Sequence, residues 1–365
     1  MNRIVFHLNS LERGGAERVV TNLAGQFVAN GYEVYIATEW QGEDEYVIDK
    51  RIKRVHVGLT EKQEKLGRIS KFLARIFNLR KFLKQIKPDI VIAFARKANY
   101  RALTATIGTK FPVVFCVRIA PVGSYDSLSD KIQIPILFRR AAGAVFQTKE
   151  QQEYFPEYVQ RKSKVILNAL APQFIGNPIP EVRDKTVVHS GRLVDFKNQK
   201  MLIEAFVEVH KKHPDYDLKI FGPDSFDGTK QVLENTILEN NADGYIKLMG
   251  GSDHLEKDLI KGAMAAFSSD FEGMPNAMLE AMALGLPVIA TDCPPGGPRM
   301  VINSGENGLL VPVGDKEAMA KAINELIENP EYADRLGKNA SKISEIANAE
   351  AIYREWEKYL KKICN

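Results

Sequence analysis

Residues 263–292, AMAAFSSDFEGMPNAMLEAMALGLPVIATD, decide the fold. An apolar run through Ala266 and Phe267 ends in a loop broken by Gly273 and Pro275. NAMLEAMALG then reads as a helix, and PVIAT as a second apolar strand. Strands this apolar have no wet face, so they belong to a parallel sheet covered by helices on both sides. The same alternation continues in both directions. Upstream stand TVVHSGRL, a helix over 198–213, DLKIFG, a helix over 228–240, YIKLMGG and a helix near Leu255. Downstream stand GLLVPV and helices after Asp315. An earlier series runs through RIVFHL, GGAERVVTNLAGQFVANG, EVYIAT, RVHVG, a long helix, DIVIAF, RALTATIG, PVVFCV, GAVFQT and KVILNA.

Between the two series, Asn168 to Asp184 holds three prolines and no usable period, and reads as an extended linker. The fold class is therefore α/β, with two Rossmann-like, doubly wound parallel-sheet domains, residues 1–175 and 182–345. Two such domains are expected to face each other across a cleft at the carboxyl ends of their strands, where ligands bind in open α/β sheets. Residues 346–365 form a last helix, apolar at Ile352, Trp356, Tyr359, Leu360 and Ile363, expected to cross back to the first domain.

The chain's 365 residues suit two cores better than one. No apolar run reaches the roughly 18 residues of a membrane span, and MNRIVFHLNS enters a strand directly, so a cytoplasmic enzyme is expected. Cys116, Cys293 and Cys364 are too scattered for a disulfide framework, a zinc site or a redox dithiol. Charge is divided unevenly. There are 28 Lys and Arg against 16 Asp and Glu up to Pro180, a net +12, and 22 against 30 beyond it, a net −8. Only the first half is suited to an anionic surface.

Three places carry chemistry. Gly14 and Gly15, at a strand-to-helix turn, would let an anion approach helix-start N–H groups, although the spacing is not that of a dinucleotide fingerprint. Arg192 and Lys197 fall on the loop after TVVHSG, placed to grip a diphosphate and to neutralise charge on it as it leaves. Glu272 and Glu280 flank the loop of Gly273, Met274, Pro275 and Asn276. Its glycine and the helix-start amides suit phosphate, and the carboxylates suit sugar hydroxyls. Each acid alone would pass for a surface residue; the constellation does not.

With GGAER near the start, GRL followed by Lys197, two glutamates with seven residues between them, and ALGLPVIATDCPPGGPRMVI followed by NGLLVPVGD, nearly the whole chain resembles the large family of retaining, GT-B-fold glycosyltransferases that make bacterial capsule, lipopolysaccharide and lipid-linked oligosaccharides. The resemblance implies that Arg192 and Lys197 hold the diphosphate of a nucleotide-sugar, with UDP as the default carrier. It implies that Glu280 binds the ribose and that Glu272 faces the donor sugar. Backbone of Gly273, Met274, Pro275 and Asn276 would line sugar and phosphate, Pro275 having no N–H to give. The base would lie near Gly222 and Met249, and Gly15 would approach from the first domain. Glu272, Arg192 and Lys197 would be catalytic, with no metal and no cofactor, and the cleaved phosphate would take the acceptor proton on the same face. Relatives carry His or Asp after the strand that here reads VVFCV. This chain has Arg118, which would bind an acceptor phosphate.

Residues 61–87 hold nine Lys or Arg against two Glu, a net +7, with Leu66, Ile69, Phe72, Leu73, Ile76 and Phe77 at helical spacing. Such a basic amphipathic helix suits an anionic membrane surface, and no nucleic-acid module accompanies the charge. The expected enzyme is a hexosyl- or N-acetylhexosaminyltransferase, peripheral on the inner face of the cell membrane, with a polyprenyl-diphosphate-linked glycan or polysaccharide precursor as acceptor. Alternatives are a synthase or nucleotide-sugar epimerase acting on soluble sugars, and a donor-binding pseudoenzyme in a polysaccharide assembly complex.

Overall fold

Phe6 sits in an interior strand of the first sheet, opposite Ile36 on one side and Ile92 on the other, with all three buried. That sheet has seven strands: β1 (Arg3–Leu8), β2 (Glu33–Thr38), β3 (Lys53–His56), β4 (Ile90–Phe94), β5 (Val113–Cys116), β6 (Gly143–Phe146) and β7 (Ser163–Val165). They are all parallel, in the order β3-β2-β1-β4-β5-β6-β7. A second parallel sheet has six: β8 (Asp184–Ser190), β9 (Asp217–Phe221), β10 (Ile246–Gly250), β11 (Gly262–Phe267), β12 (Val288–Thr291) and β13 (Leu309–Val311), ordered β10-β9-β8-β11-β12-β13. This is a computed structural model and describes residues 1–12 and 14–365. One unit comprises Met1–Ala169 with Ala349–Asn365, and the other Leu170–Asn348.

Strand alternation sorts the first unit's side chains onto two faces. Val5, Val91 and Phe115 point to a core shared with helices Arg68–Ile86, Arg96–Ala105 and Leu128–Leu137, through Leu83, Leu103 and Ile134. Ile4, Phe6, Ile92 and Val114 point the other way, against helices Gly15–Ala29 and Ala349–Cys364. Trp356 of the last helix is fully buried there and stacks on Phe94 at 6.1 Å. The second unit packs Leu202, Phe206, Met319 and Ile323 of its helices against Val187, Ile220 and Ile289.

One expectation is corrected. Residues 61–87 are not one helix: Thr60 and Gln63 close a capping box on a single turn, Glu61–Glu64, and the chain restarts after Gly67 as helix Arg68–Ile86. Gly67 at the N-cap has no side chain to bridge the break. The stretch from Asn168 to Arg183 is irregular apart from one turn, and the division between the units falls within it, after Ala169. Leu170 donates its N–H to the Ala347 carbonyl (2.7 Å), and Phe174 is buried after a turn over Pro172–Phe174, because its apolar residues find a core. Among the described residues no helix is long and apolar enough to cross a membrane.

Candidate active site

The adjacent strands β8 and β11 bring the loops at their carboxyl ends side by side. After β8 the chain passes Gly191, whose carbonyl lies so close to Gly222 that a Cβ there would stand 1.9 Å away. Only glycine permits that approach. Asp195–Lys197 form one tight turn, and Asn198, at φ 47°, ends it and caps helix Gln199–Lys212. Asn198 also donates to Asp270 (2.8 Å). Ser268 donates to the Lys197 carbonyl (2.9 Å), and the Asp270 amide to that of Phe196 (2.8 Å). The Phe196 and Phe271 rings stack at 4.7 Å. The two loops are thus fixed to each other before any ligand arrives.

On this frame the Lys197 ammonium is ion-paired with the Glu272 carboxylate, each side chain only 15% exposed. The Glu272 amide donates to the Pro294 carbonyl (2.8 Å). Gly273, Met274 and Pro275 lead into helix Asn276–Ala283, whose first amides have no side-chain cap. Glu280 is the fifth residue of that helix, its carboxylate on a side chain buried to 3% exposure. Gly297 holds the far side of the loop; a Cβ there would fall 1.6 Å from the Gly273 carbonyl oxygen. Arg192 is exposed, and its carbonyl accepts from Gln199 (2.9 Å), which steadies the loop that carries it.

Beneath Lys197, His189 is fully buried. Its Nδ1–H donates to the Ala266 carbonyl (2.8 Å), which leaves Nε2 as an acceptor, and Nε2 has no partner among the described residues. Burial, helped by the Lys197 charge, lowers this imidazole to about 4. Burial first, then the Glu272 charge, pushes the Cys293 thiol up to about 12. At the sheet edge β10 slips register between Leu248 and Gly250, so Met249 bulges outward, as edge bulges do. Met249 lines a cavity of about 320 Å³ with Phe221, Lys219, Gly251, Ser252 and Lys261.

Residues 175–343 match the family model described as Glycosyl transferases group 1, and residues 13–173 match Glycosyltransferase Family 4. The chain belongs to the GT-B glycosyltransferases. It is 26% identical over 375 residues to the N-acetylgalactosamine-N,N'-diacetylbacillosaminyl-diphospho-undecaprenol 4-alpha-N-acetylgalactosaminyltransferase of Campylobacter jejuni, covering 99% of this chain and 100% of that one. It is 31% identical over 230 residues to an exopolysaccharide phosphotransferase of Streptomyces coelicolor, across 61% of this chain and only 24% of that longer protein. Anabaena HepE, solved in complex with UDP, superposes with a TM-score of 0.85 over 99% of this chain and 100% of that one; at 19% identity this shows the fold.

The remaining sequence-predicted residues of this glycosyltransferase lie on its first unit. Gly15 opens helix Gly15–Ala29, with Gly14 as an uncapped N-cap. Arg118 follows β5 and turns inward. Its guanidinium lies over the rings of Phe94 (5.1 Å) and Trp356 (5.8 Å) and donates to Asn168 (2.8 Å), while Nε and Nη2 are buried with no hydrogen-bond partner among the described residues. Sequence reasoning missed His189, Gly297 and the Asn198–Asp270 bridge. Asn198 had a legible signal, an Asn directly before an apolar-periodic helix. The other two had none, because their roles depend on strands and loops distant in the chain.

Proposed function

We propose that the chain is a retaining glycosyltransferase that moves a hexose or N-acetylhexosamine from a UDP-sugar to a lipid-linked glycan or polysaccharide-precursor acceptor. The observation that carries this reading is the Lys197–Glu272 pair set between the strand ends, beside the uncapped start of helix Asn276–Ala283. In the absence of donor, the Glu272 carboxylate occupies Lys197. An incoming diphosphate offers Lys197 a doubly charged partner and frees Glu272 to accept from sugar hydroxyls. Arg192, exposed on the same loop, supplies the second cation. The amides of Gly273, Met274 and Asn276 complete the phosphate and sugar cradle, and Glu280 takes the ribose.

Both cations act on charge that develops as the glycosidic bond to the diphosphate breaks, which is where fixed positive groups lower a barrier most. The departing phosphate oxygen takes the acceptor hydroxyl proton on the face it leaves, and the sugar keeps its anomeric configuration. The base is assigned to the strand ends near Gly222 and Met249, where Phe221 and Met249 form one side of a cavity whose other walls carry Lys219, Lys261, Asp184 and Asp258. The UDP in the HepE structure favours uracil. The undecaprenol acceptor named for the Campylobacter relative favours a lipid-linked acceptor.

In the first unit, Gly15 at the start of its helix is assigned to phosphate, and Arg118, whose Nε and Nη2 have no partner among the described residues, to an acceptor phosphate. The enzyme is assigned to the inner face of the cell membrane through residues 61–87. Ile69, Phe72, Leu73 and Phe77 in the first half of helix Arg68–Ile86 face water, whereas Leu79, Phe82 and Leu83 in its second half are buried. A screen of UDP- and GDP-sugars against lipid-linked acceptors, with the anomeric configuration of the product read by NMR, tests the proposal. Transfer from a UDP-sugar with retention supports it, and an inverted product refutes it.

A further inference from the structure

The first unit leaves a second apolar surface in water. Helix Leu128–Leu137 buries Ile134 and Leu137, yet Leu128, Ile132 and Ile136, one turn apart along it, are 79%, 65% and 60% exposed. The turn before it shows Ile119 and Val122, 48% and 70% exposed. Both segments are held rigidly. Asp130 accepts from Arg96 and from the Tyr100 hydroxyl, each at 2.6 Å, and closes a capping box with Ser127. The amides of Ser124 and Tyr125 donate to the Pro121 carbonyl (3.0 and 2.8 Å), and Tyr125 is buried. A fixed frame that displays five aliphatic side chains marks a contact surface.

Two observations choose its occupant. Helices 68–86, 96–105 and 128–137 share one core on one face of the first sheet, so the exposed stripes of the first and third belong to a single layer. The charge is also complementary to anionic lipid: Lys97, Lys131, Arg139 and Arg140 are exposed against the one exposed carboxylate of Asp126, which accepts from the Tyr154 hydroxyl, while Asp130 is paired with Arg96. The unit as a whole holds 32 Lys and Arg against 19 Asp and Glu, a net +13. Aliphatic stripes flanked by exposed cations match the boundary between headgroups and acyl chains.

We propose that Ile119, Val122, Leu128, Ile132 and Ile136 form a second limb of the membrane-contacting surface, so that the enzyme rests on an anionic bilayer through two helices. This rests on the assignment of residues 61–87 to the membrane. The test is co-sedimentation of the full-length protein with vesicles of phosphatidylethanolamine and phosphatidylglycerol. It compares the wild type with a Leu128→Ser, Ile132→Ser, Ile136→Ser variant and an Ile69→Ser, Phe72→Ser, Phe77→Ser variant. Each triple variant is expected to lower the partition coefficient by about tenfold or more, with melting temperature unchanged because the altered side chains are exposed. If the 128/132/136 variant partitions like the wild type while the 69/72/77 variant does not, the second limb is refuted and the first assignment stands. If the wild type itself stays in the supernatant, both fail. A wild-type dimer, seen by light scattering, that the 128/132/136 variant splits would overturn the proposal by giving the surface to a second copy of the chain.

Discussion

His7 and His189 are the penultimate residues of β1 and β8, the strands that each unit builds its sheet around, and their surroundings differ in one respect. Both are fully buried, and both donate Nδ1–H to a backbone carbonyl, of Ala37 and of Ala266. Burial lowers both, His7 to about 3 and His189 to about 4. His7 Nε2, however, is met by Arg101 at 3.3 Å, and Arg101 in turn pairs with buried Glu39 (3.0 Å), which Arg75 also holds (3.0 Å). His189 Nε2 and the neighbouring Ser190 hydroxyl have no partner among the described residues. The first unit closes the end of β1 with its own ion pairs. The second leaves polar groups unspent below Lys197. Buried polar groups without partners are expensive, and they persist where a ligand completes them.

The largest expected effect breaks the comparison from the second unit's side. Lys197→Ala or Glu272→Ala should lower sugar transfer by about 10²–10³-fold, the usual loss when a group that stabilises developing charge is removed. Steady-state rates on the purified variants check this; a variant within threefold of wild type would remove the pair from catalysis. Next is Arg101→Met in the first unit. It strips buried Glu39 of its better-buried partner and should lower stability by about 3 kcal/mol in chemical denaturation while the folded fraction keeps its donor affinity. A large loss of donor affinity would show that the closed strand end is also a ligand site.

The two imidazoles make stability depend on pH in the same sense. Each titrates near 6.5 when unfolded and well below that when folded, so the unfolded chain binds more protons between the two values. Their stabilising contribution is full above about pH 6.5 and falls as pH drops toward 4, by about 1.4 kcal/mol per pH unit for each. His189→Gln should remove one imidazole's share of that slope, measured by denaturation between pH 6.5 and 4.5. An unchanged slope would mean that His189 titrates alike in the folded and unfolded states. The smallest effect belongs to Arg118→Met. A buried guanidinium with two unpaired donors stabilises little, so stability should change by no more than about 1 kcal/mol, whereas transfer to a phosphate-bearing acceptor falls and the KM for donor stays put. A loss of several kcal/mol would make Arg118 a structural residue.

Much of this was legible in the amino-acid order. Apolar runs such as IVIAF and VIAT can only be strands with both faces covered, and the EGMPN loop stands where a strand hands over to a helix. The break at Gly67 is not legible in the sequence, because apolar positions at helical spacing run on both sides of a single glycine. What needed the fold was everything set by neighbours remote in the chain. Lys197 and Glu272 are 75 residues apart, and their pairing depends on β8 lying next to β11. The kinship of His7 and His189 is likewise a matter of strand position.

The claim that the open strand end of the second unit is the donor site is tested most directly by titrating UDP into wild type and Lys197→Ala by calorimetry. The account predicts saturable binding to the wild type that weakens by at least about tenfold in the variant, the loss expected from one charge-assisted contact to a diphosphate. Equal affinities for the two proteins would contradict it.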